Sequence, residues 1–174
     1  MEENNMPNHT INDVDIHVNT GEDKEIFALA ELKTKLKISK NKFDFEAIIP
    51  MPKDLHKALE VEPFTENDEW THDGGHLVPK SYLIRRKWVK QYGFDNWYDW
   101  RCENWGTKWN SYDFELDDES KSKLQVRFLT AWCPPKEIFI ALRNYCNEHN
   151  LALGWEYMQE EDGYEKTYQL DQVC

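Results

Sequence analysis

The chain of 174 residues has four cysteines, Cys102, Cys133, Cys146 and Cys174, and no two form a Cys-x-x-Cys unit. Zinc-ribbon and thioredoxin-type readings therefore lack their ligand spacing. There is no Gly-x-Gly-x-x-Gly, no phosphate loop and no Gly-x-Ser-x-Gly, so dinucleotide, nucleoside-triphosphate and nucleophile-elbow chemistry have no motif to stand on. Ser39, Ser81, Ser111, Ser120 and Ser122 sit in no activating context. No apolar run approaches the roughly 18 residues of a membrane helix, and no secretory signal is visible. A soluble protein of a reducing cytoplasm, with no membrane partner, is the expectation. Positive charge is also scarce. Lys and Arg number 21 against 33 Asp and Glu, a net charge of −12. That disfavours indiscriminate binding to phosphate surfaces. It suits solubility, a basic protein partner, or an acidic surface that imitates nucleic acid.

Aromatic residues are what the chain has in excess, at 14%. Asp95 to Asn110 reads Asp-Asn-Trp-Tyr-Asp-Trp-Arg-Cys-Glu-Asn-Trp-Gly-Thr-Lys-Trp-Asn and holds four of the eight tryptophans. Three roles fit it. Trp97, Trp100, Trp105 and Trp109 as core would need an acceptor for each indole N–H, with Asn96, Asp99, Glu103 and Asn104 at hand. A groove would use Trp97, Trp100, Asn104, Trp105, Lys108 and Trp109 as binding residues. An interface would use the tryptophans as anchors. Gly106 would allow a tight backbone approach or a positive φ.

Hydrophobic periodicity orders the rest. Asn12, Val14, Ile16 and Val18 alternate as a strand, and Glu22 to Leu36 has helical spacing with acids first and lysines last. Phe43 to Ile49 reads as a short strand ended by Pro50 and Pro52. Asp54 to Glu60 reads as a helical turn or two, and Glu62 to Gly75 as a loop. Pro79 to Gln91 reads as a helix. Tyr112, Phe114 and Leu116 alternate, as do Leu124 to Thr130, with an acidic turn at Asp117–Ser120. A helix follows Pro134-Pro135 through His149, then a strand over Leu151–Tyr157 and an edge strand over Tyr164–Leu170. The order is β-α-β, an insertion, then β-β-α-β. This fits an α+β ferredoxin-like sandwich: a mostly antiparallel sheet, helices on one face, and a largely irregular or helical insertion at about 50–104. One domain over 1–174 is expected, with residues 1–9 partly disordered.

Chemistry-bearing groups are sparse. His72, Asp73 and His76 are a weak metal candidate, since Gly74-Gly75 excludes a shared helix face and further ligands are wanting. No cofactor is implied. Paired carboxylates at Asp117–Glu119 and Glu160–Asp162 fall in predicted turns, which cannot separate two pKa values for acid–base work. Lys33, Lys35 and Lys37 with Arg85, Arg86 and Lys87 form a candidate basic patch should the two segments adjoin. Such a patch with nearby aromatics would suit direct nucleic-acid binding.

Asn104–Asn110, Asn-Trp-Gly-Thr-Lys-Trp-Asn, resembles the most characteristic motif of the YubB-like proteins of phages and conjugative plasmids. Met6-Pro7-Asn8, Phe43-Asp44-Phe45, Ile49-Pro50-Met51-Pro52, Asn96-Trp97-Tyr98-Asp99-Trp100 and Thr130-Ala131-Trp132-Cys133-Pro134-Pro135 resemble its other signposts, in the same order. Cys133 stands where serine is expected and His9 where tryptophan is expected. The resemblance implies a ferredoxin-like domain and no catalytic residue. Its setting points to an accessory protein that binds a host macromolecule, a protein or a protein–nucleic-acid complex, and inhibits a host defence system. A nucleic-acid-binding module, and a small-molecule or nucleotide enzyme sited in the insertion, are the alternatives. No oligomeric state follows from the sequence.

Overall fold

The computed structural model describes residues 8–56 and 69–172. Most of the segment expected to be disordered, residues 1–7, lies outside the described residues, as do 57–60 of the helical reading, 62–68 of the loop reading, and Cys174. The chain divides into two compact units, one of residues 1–50 with 103–174 and one of residues 51–102.

The larger unit is built on five strands: β1 (His9–Val18), β4 (Tyr112–Ser120), β5 (Lys123–Ala131), β6 (Leu151–Gln159) and β7 (Tyr168–Gln169). They lie in the order β4-β5-β1-β6-β7, with every neighbouring pair antiparallel. Helix α1 (Asp23–Leu36) follows β1, and helix α5 (Lys136–Glu148) joins β5 to β6. This is the ferredoxin-like α+β sandwich expected from the sequence, without the strand expected between α1 and the insertion. Alternation explains the layering: Thr10, Asn12, Val14 and Ile16 of β1 are buried while their neighbours are not. Facing them, α1 buries Ala28, Leu29, Leu32 and Leu36, and α5 buries Ile138, Phe139, Leu142 and Cys146. The Tyr145 hydroxyl donates to the Ala28 carbonyl at 3.0 Å and ties the helices together. Rings of Phe43, Phe45, Phe128, Phe139 and Trp155 fill the centre, Phe43 stacked on Phe128 at 4.7 Å and the others edge-on. Offset and edge contacts of this kind add to their burial.

One polar residue is built into this core with its groups satisfied. Asn12 accepts from the Trp155 indole at 3.2 Å and donates to the Thr10 carbonyl and to Thr130 Oγ1. Glu25 does similar work at the β1–α1 connection. Its buried carboxylate accepts from Thr20 N and Oγ1, Gly21 N and Asn150 Nδ2. Those bonds, Thr20's first, hold its carboxyl down at about 2.

Two readings of the larger unit are corrected. Phe43 to Ile49 is not a strand. It holds a single 3-10 turn, Phe45–Ala47, capped by the Asp44 carboxylate on Glu46 N, and its rings enter the core singly. The β4 alternation is broken by register shifts between Tyr112 and Glu115 and between Leu116 and Asp118. Asp113 stands at φ 49° in the first. Such bulges re-aim side chains. Tyr112 therefore pairs with Leu129 on the open face, while Leu116 pairs with Val126 of the buried set. The acids of the predicted turn are strand residues, and the turn falls at Lys121-Ser122. The final strand is also shorter than expected, limited to Tyr168–Gln169.

The smaller unit holds the short helix α2 (Lys53–His56), the hairpin β2 (Trp70–Asp73) and β3 (His76–Pro79), helix α3 (Lys80–Tyr92) and most of α4 (Trp97–Trp105). The expected loop at Glu62–Gly75 thus ends in a strand, closed through Gly74 and Gly75, both at positive φ. Trp88 and Trp100 are buried, and Tyr92 donates to Asp54 at 3.0 Å. The tryptophan stretch, within the insertion expected to be irregular or helical, is helical over Trp97–Trp105, with Asn96 Oδ1 accepting from Asp99 N at its start.

Candidate functional site

The residues Asn104 to Asn110 divide by what each side chain touches. Trp105 has no exposed surface, packs edge-on against Phe45, and donates its indole N–H to the Ile49 carbonyl at 2.9 Å. Gly106 has φ +82°, and a Cβ there would lie 2.8 Å from Lys136 N and 3.3 Å from the Pro134 carbonyl. Only glycine lets these backbones approach so closely. Thr107 is buried and donates to the Ala131 carbonyl. Asn110 accepts from Phe45 N and Ser111 N and donates to Asp44. Ser111 donates to the Phe43 carbonyl. Burial pushes the Asp44 carboxyl up, but hydrogen bonds from Lys37, Asn110 and Glu46 N outweigh it, and the group titrates below its ordinary value. These residues fasten the 103–111 segment to the 43–50 segment on one side and to the chain after β5 on the other.

Lys108 and Trp109 are left facing outward. The Lys108 ammonium sits 4.3 Å from the Trp109 ring centre and 5.2 Å from that of Trp132. Both distances lie within the range of cation–π attraction. Trp109 is 38% exposed and Trp132 43% exposed. Trp109 meets Tyr112 edge-on, and Tyr112 meets His9 both by ring contact and by a 2.8 Å bond between its hydroxyl and His9 Nδ1. Burial first, then Asp113, Tyr164 and Glu160, push the Tyr112 phenol up to about 12, so it stays protonated. His9 N donates in turn to Glu160. The outcome is an aromatic end of the sheet: Trp109 and Trp132 beside one ammonium, with Tyr112 against Trp109 and His9 against Tyr112.

Trp132 is held there against its own backbone preference. It has φ 74°, and Cys133 N donates to the Ala131 carbonyl at 2.9 Å across it. That is a γ-turn of the strained kind. A bulky residue at positive φ is a true outlier, and such strain collects at functional sites. Trp132 N donates to the Asn8 carbonyl, Thr130 Oγ1 to the Cys133 carbonyl, and Lys136 N to the Pro134 carbonyl. This brace keeps the outlier in place. Trp132 is absent from the six binding residues read from the sequence. The signal for it was the following Cys-Pro-Pro, which stops β5 and forces the residue before it out of the ladder.

The other candidates do not converge on this site. Trp97 and Trp100 belong to the smaller unit, where Trp97 is half-buried under Arg101 and Trp100 is buried. Trp105 is core and not a groove wall, and Asn104 is half-buried. In the candidate basic patch, Lys33 is spent on the Ser120 carbonyl and Glu119, and Lys37 on Asp44. Arg85 pairs with Asp95 at 3.4 Å and Arg86 with Asp73 at 2.7 Å. Lys35 is exposed on α1 and Lys87 lies on α3, in different units. His72 and His76 are exposed, His72 lies opposite Leu77, and Asp73 is engaged by Arg86. Strand alternation turns His72 and Asp73 to opposite faces. Among the described residues no three His, Cys, Asp or Glu side chains are grouped to hold a metal ion, and no helix is long and apolar enough to cross a membrane.

The sheet order, the antiparallel pairing and the helical layer on one face define the larger unit as a ferredoxin-like α+β sandwich. Residues 104–173 match a family model described as the ferredoxin-like domain in Api92-like protein. The match begins at the first residue of the Asn-Trp-Gly-Thr-Lys-Trp-Asn motif and takes in β4, β5, α5, β6 and β7. No curated protein and no solved structure matches the chain.

Proposed function

We propose that this chain is a non-enzymatic binding protein that engages a host macromolecule through the aromatic end of its sheet. In the setting implied by the resemblance to YubB-like proteins, it is an accessory protein of a phage or conjugative plasmid that blocks a host defence component. The observation that carries the binding reading is Trp132: a large indole, well exposed, kept on strained backbone beside Trp109. A residue needed only for packing has no reason to occupy that position. Tryptophan and tyrosine anchors surrounded by polar groups are the usual energetic centre of protein interfaces. The −12 charge and the pairing of Lys33, Lys37, Arg85 and Arg86 with acids favour a protein partner over direct contact with nucleic acid.

The test is quantitative capture from host lysate with wild type, Trp132→Ala and Trp109→Ala at matched concentration. A partner that saturates wild type and is lost by both variants, with their melting nearly unchanged, supports the reading. Capture that ignores both tryptophans counts against it.

A further inference from the structure

Among the described residues of the larger unit, no helix packs on the side of the sheet opposite α1 and α5, and its register sorts side chains into rows across the strands. One row is apolar: Tyr112, Leu129, Ile11 and Met158 stand side by side on β4, β5, β1 and β6. Tyr112 touches Trp109, so this row continues the aromatic end. The next row is Glu115, Arg127, Asp13 and Glu156. The row beyond pairs Asp118, Gln125, Asp15 and Gly154. Because Gly154 has no side chain, this part of the face sinks into a recess of about 390 Å³ lined by Asp13, Asp15, Asp117, Gln125 and Glu156. A Cβ at Gly154 would meet only Asp15, at 3.9 Å. Against these carboxylates the face sets Arg127, already bound to Asp13 at 2.7 and 3.1 Å, and Lys123.

We infer that this open face docks a basic amphipathic helix of the protein partner. The inference rests on the proposed binding role and names the chemistry of that partner. Rows on one side of a strand repeat every second residue, about 7 Å apart, so the apolar row and the two acidic rows span roughly 14 Å. That matches the ~10–12 Å diameter of a helix with its side chains. Laid across the strands, a helix would set its apolar stripe on Ile11, Leu129 and Met158 and its Lys or Arg flank over Asp15 and Glu156. A bare cation explains less. The carboxylates are already engaged by Arg127, Gln125 and Gln169, and an ion has no use for the apolar row. A phosphate chain is repelled by the same row of acids.

The test is titration of the full chain with a synthetic amphipathic helical peptide carrying Leu and Ala on one face and Lys and Arg on its flank. The same peptide with a Glu flank and a thymidine oligonucleotide serve as comparisons. Saturable binding is expected, with amide shifts confined to β1, β5 and β6. Asp15→Asn with Glu156→Gln should weaken it about tenfold, as expected when two charge pairs are removed. Glu31→Gln, exposed on α1 behind the sheet, should leave it within twofold. The inference is overturned by absence of saturable binding, by indifference to the Asp15/Glu156 change, or by equal binding of the Glu-flanked peptide or the oligonucleotide. Failure here with tryptophan-dependent capture intact removes the basic helix and leaves the binding role. Peptide binding without tryptophan-dependent capture does the reverse.

Discussion

Replacing Trp105 with alanine should be among the most damaging single changes in the larger unit, and the structure says by how much. The side chain has no exposed surface, so the truncation carries the full transfer and cavity cost of a large aromatic, about 3–5 kcal/mol. It also leaves the half-buried Ile49 carbonyl without its donor, worth about 1 kcal/mol more. Trp109, 38% exposed, loses mainly its contact with the Lys108 ammonium and an edge contact with Tyr112, about 1 kcal/mol. With a urea m-value of roughly 2 kcal/mol/M, Trp105→Ala moves the midpoint by about 2 M and Trp109→Ala by about 0.5 M. Since whole domains hold only about 5–15 kcal/mol, Trp105→Ala is paired with the milder Trp105→Phe. Phenylalanine keeps an edge contact to Phe45 but loses the indole donor and part of the volume, for about 2 kcal/mol. Urea unfolding followed by circular dichroism reads all three. Equal shifts for Trp105→Ala and Trp109→Ala would refute the division of the motif into anchors and outward groups. So would a Trp105→Ala cost under about 1.5 kcal/mol.

Gly106→Ala should cost about 2–4 kcal/mol, because its Cβ meets Lys136 N at 2.8 Å and its φ is +82°; thermal melting checks this. Trp132→Gly should melt within about 3 °C of wild type, since relief of about 1–2 kcal/mol of positive-φ strain offsets glycine's added unfolded-state entropy. Partner capture by that variant should nonetheless fall more than tenfold, and retained capture would separate the strain from function. Glu25 makes a pH prediction. Its carboxyl is lowered from 4.5 to about 2, so its contribution is fully present above pH 4.5 and is lost as pH falls towards 2. Glu25→Gln should therefore be less stable than wild type at pH 7 and converge on it in acid, as measured by urea midpoints across that range.

Much of the larger unit was legible because its strands and helices keep their period. Val14 and Ile16 alternate with Asp13 and Asp15, and the α1 and α5 stripes repeat at three and four. The misreadings share one cause: tertiary contacts outrank local pattern. Phe43 and Phe45 look like a strand face, yet a carboxylate cap and two core rings bind that segment as a turn. The β4 acids look like a turn, yet an edge strand tolerates them because one side of it faces water and charge guards an exposed edge. The bulge at Asp113 has no signature in alternation, and it decides which way Tyr112 faces. The binding candidates divide for a related reason: Lys108 and Trp109 face outward while Trp105 is core. Density of tryptophan marks the stretch, but burial divides it, and sequence spacing cannot tell Trp105 from Trp109.

The partition of the motif has a mechanical meaning. Trp105, Gly106, Thr107 and Asn110 hold the backbone from both sides, so the pair between them cannot drift. Lys108 has a flexible stem that would ordinarily sample many rotamers, yet its ammonium is seated between two indoles. An ordered ammonium in turn limits the motion of both rings. Interfaces lose affinity to side-chain ordering at about 0.5–1.5 kcal/mol per immobilised residue. In the proposed binding role that ordering would precede binding, since the γ-turn at Trp132 and the anchored segment already hold Trp132, Lys108 and Trp109 together. Strain at one backbone position is then a small recurrent cost set against ordering that would otherwise fall on the bound state. This accounts for a strained tryptophan persisting on the surface, whereas the comparable backbone demand at Gly106 is met by glycine.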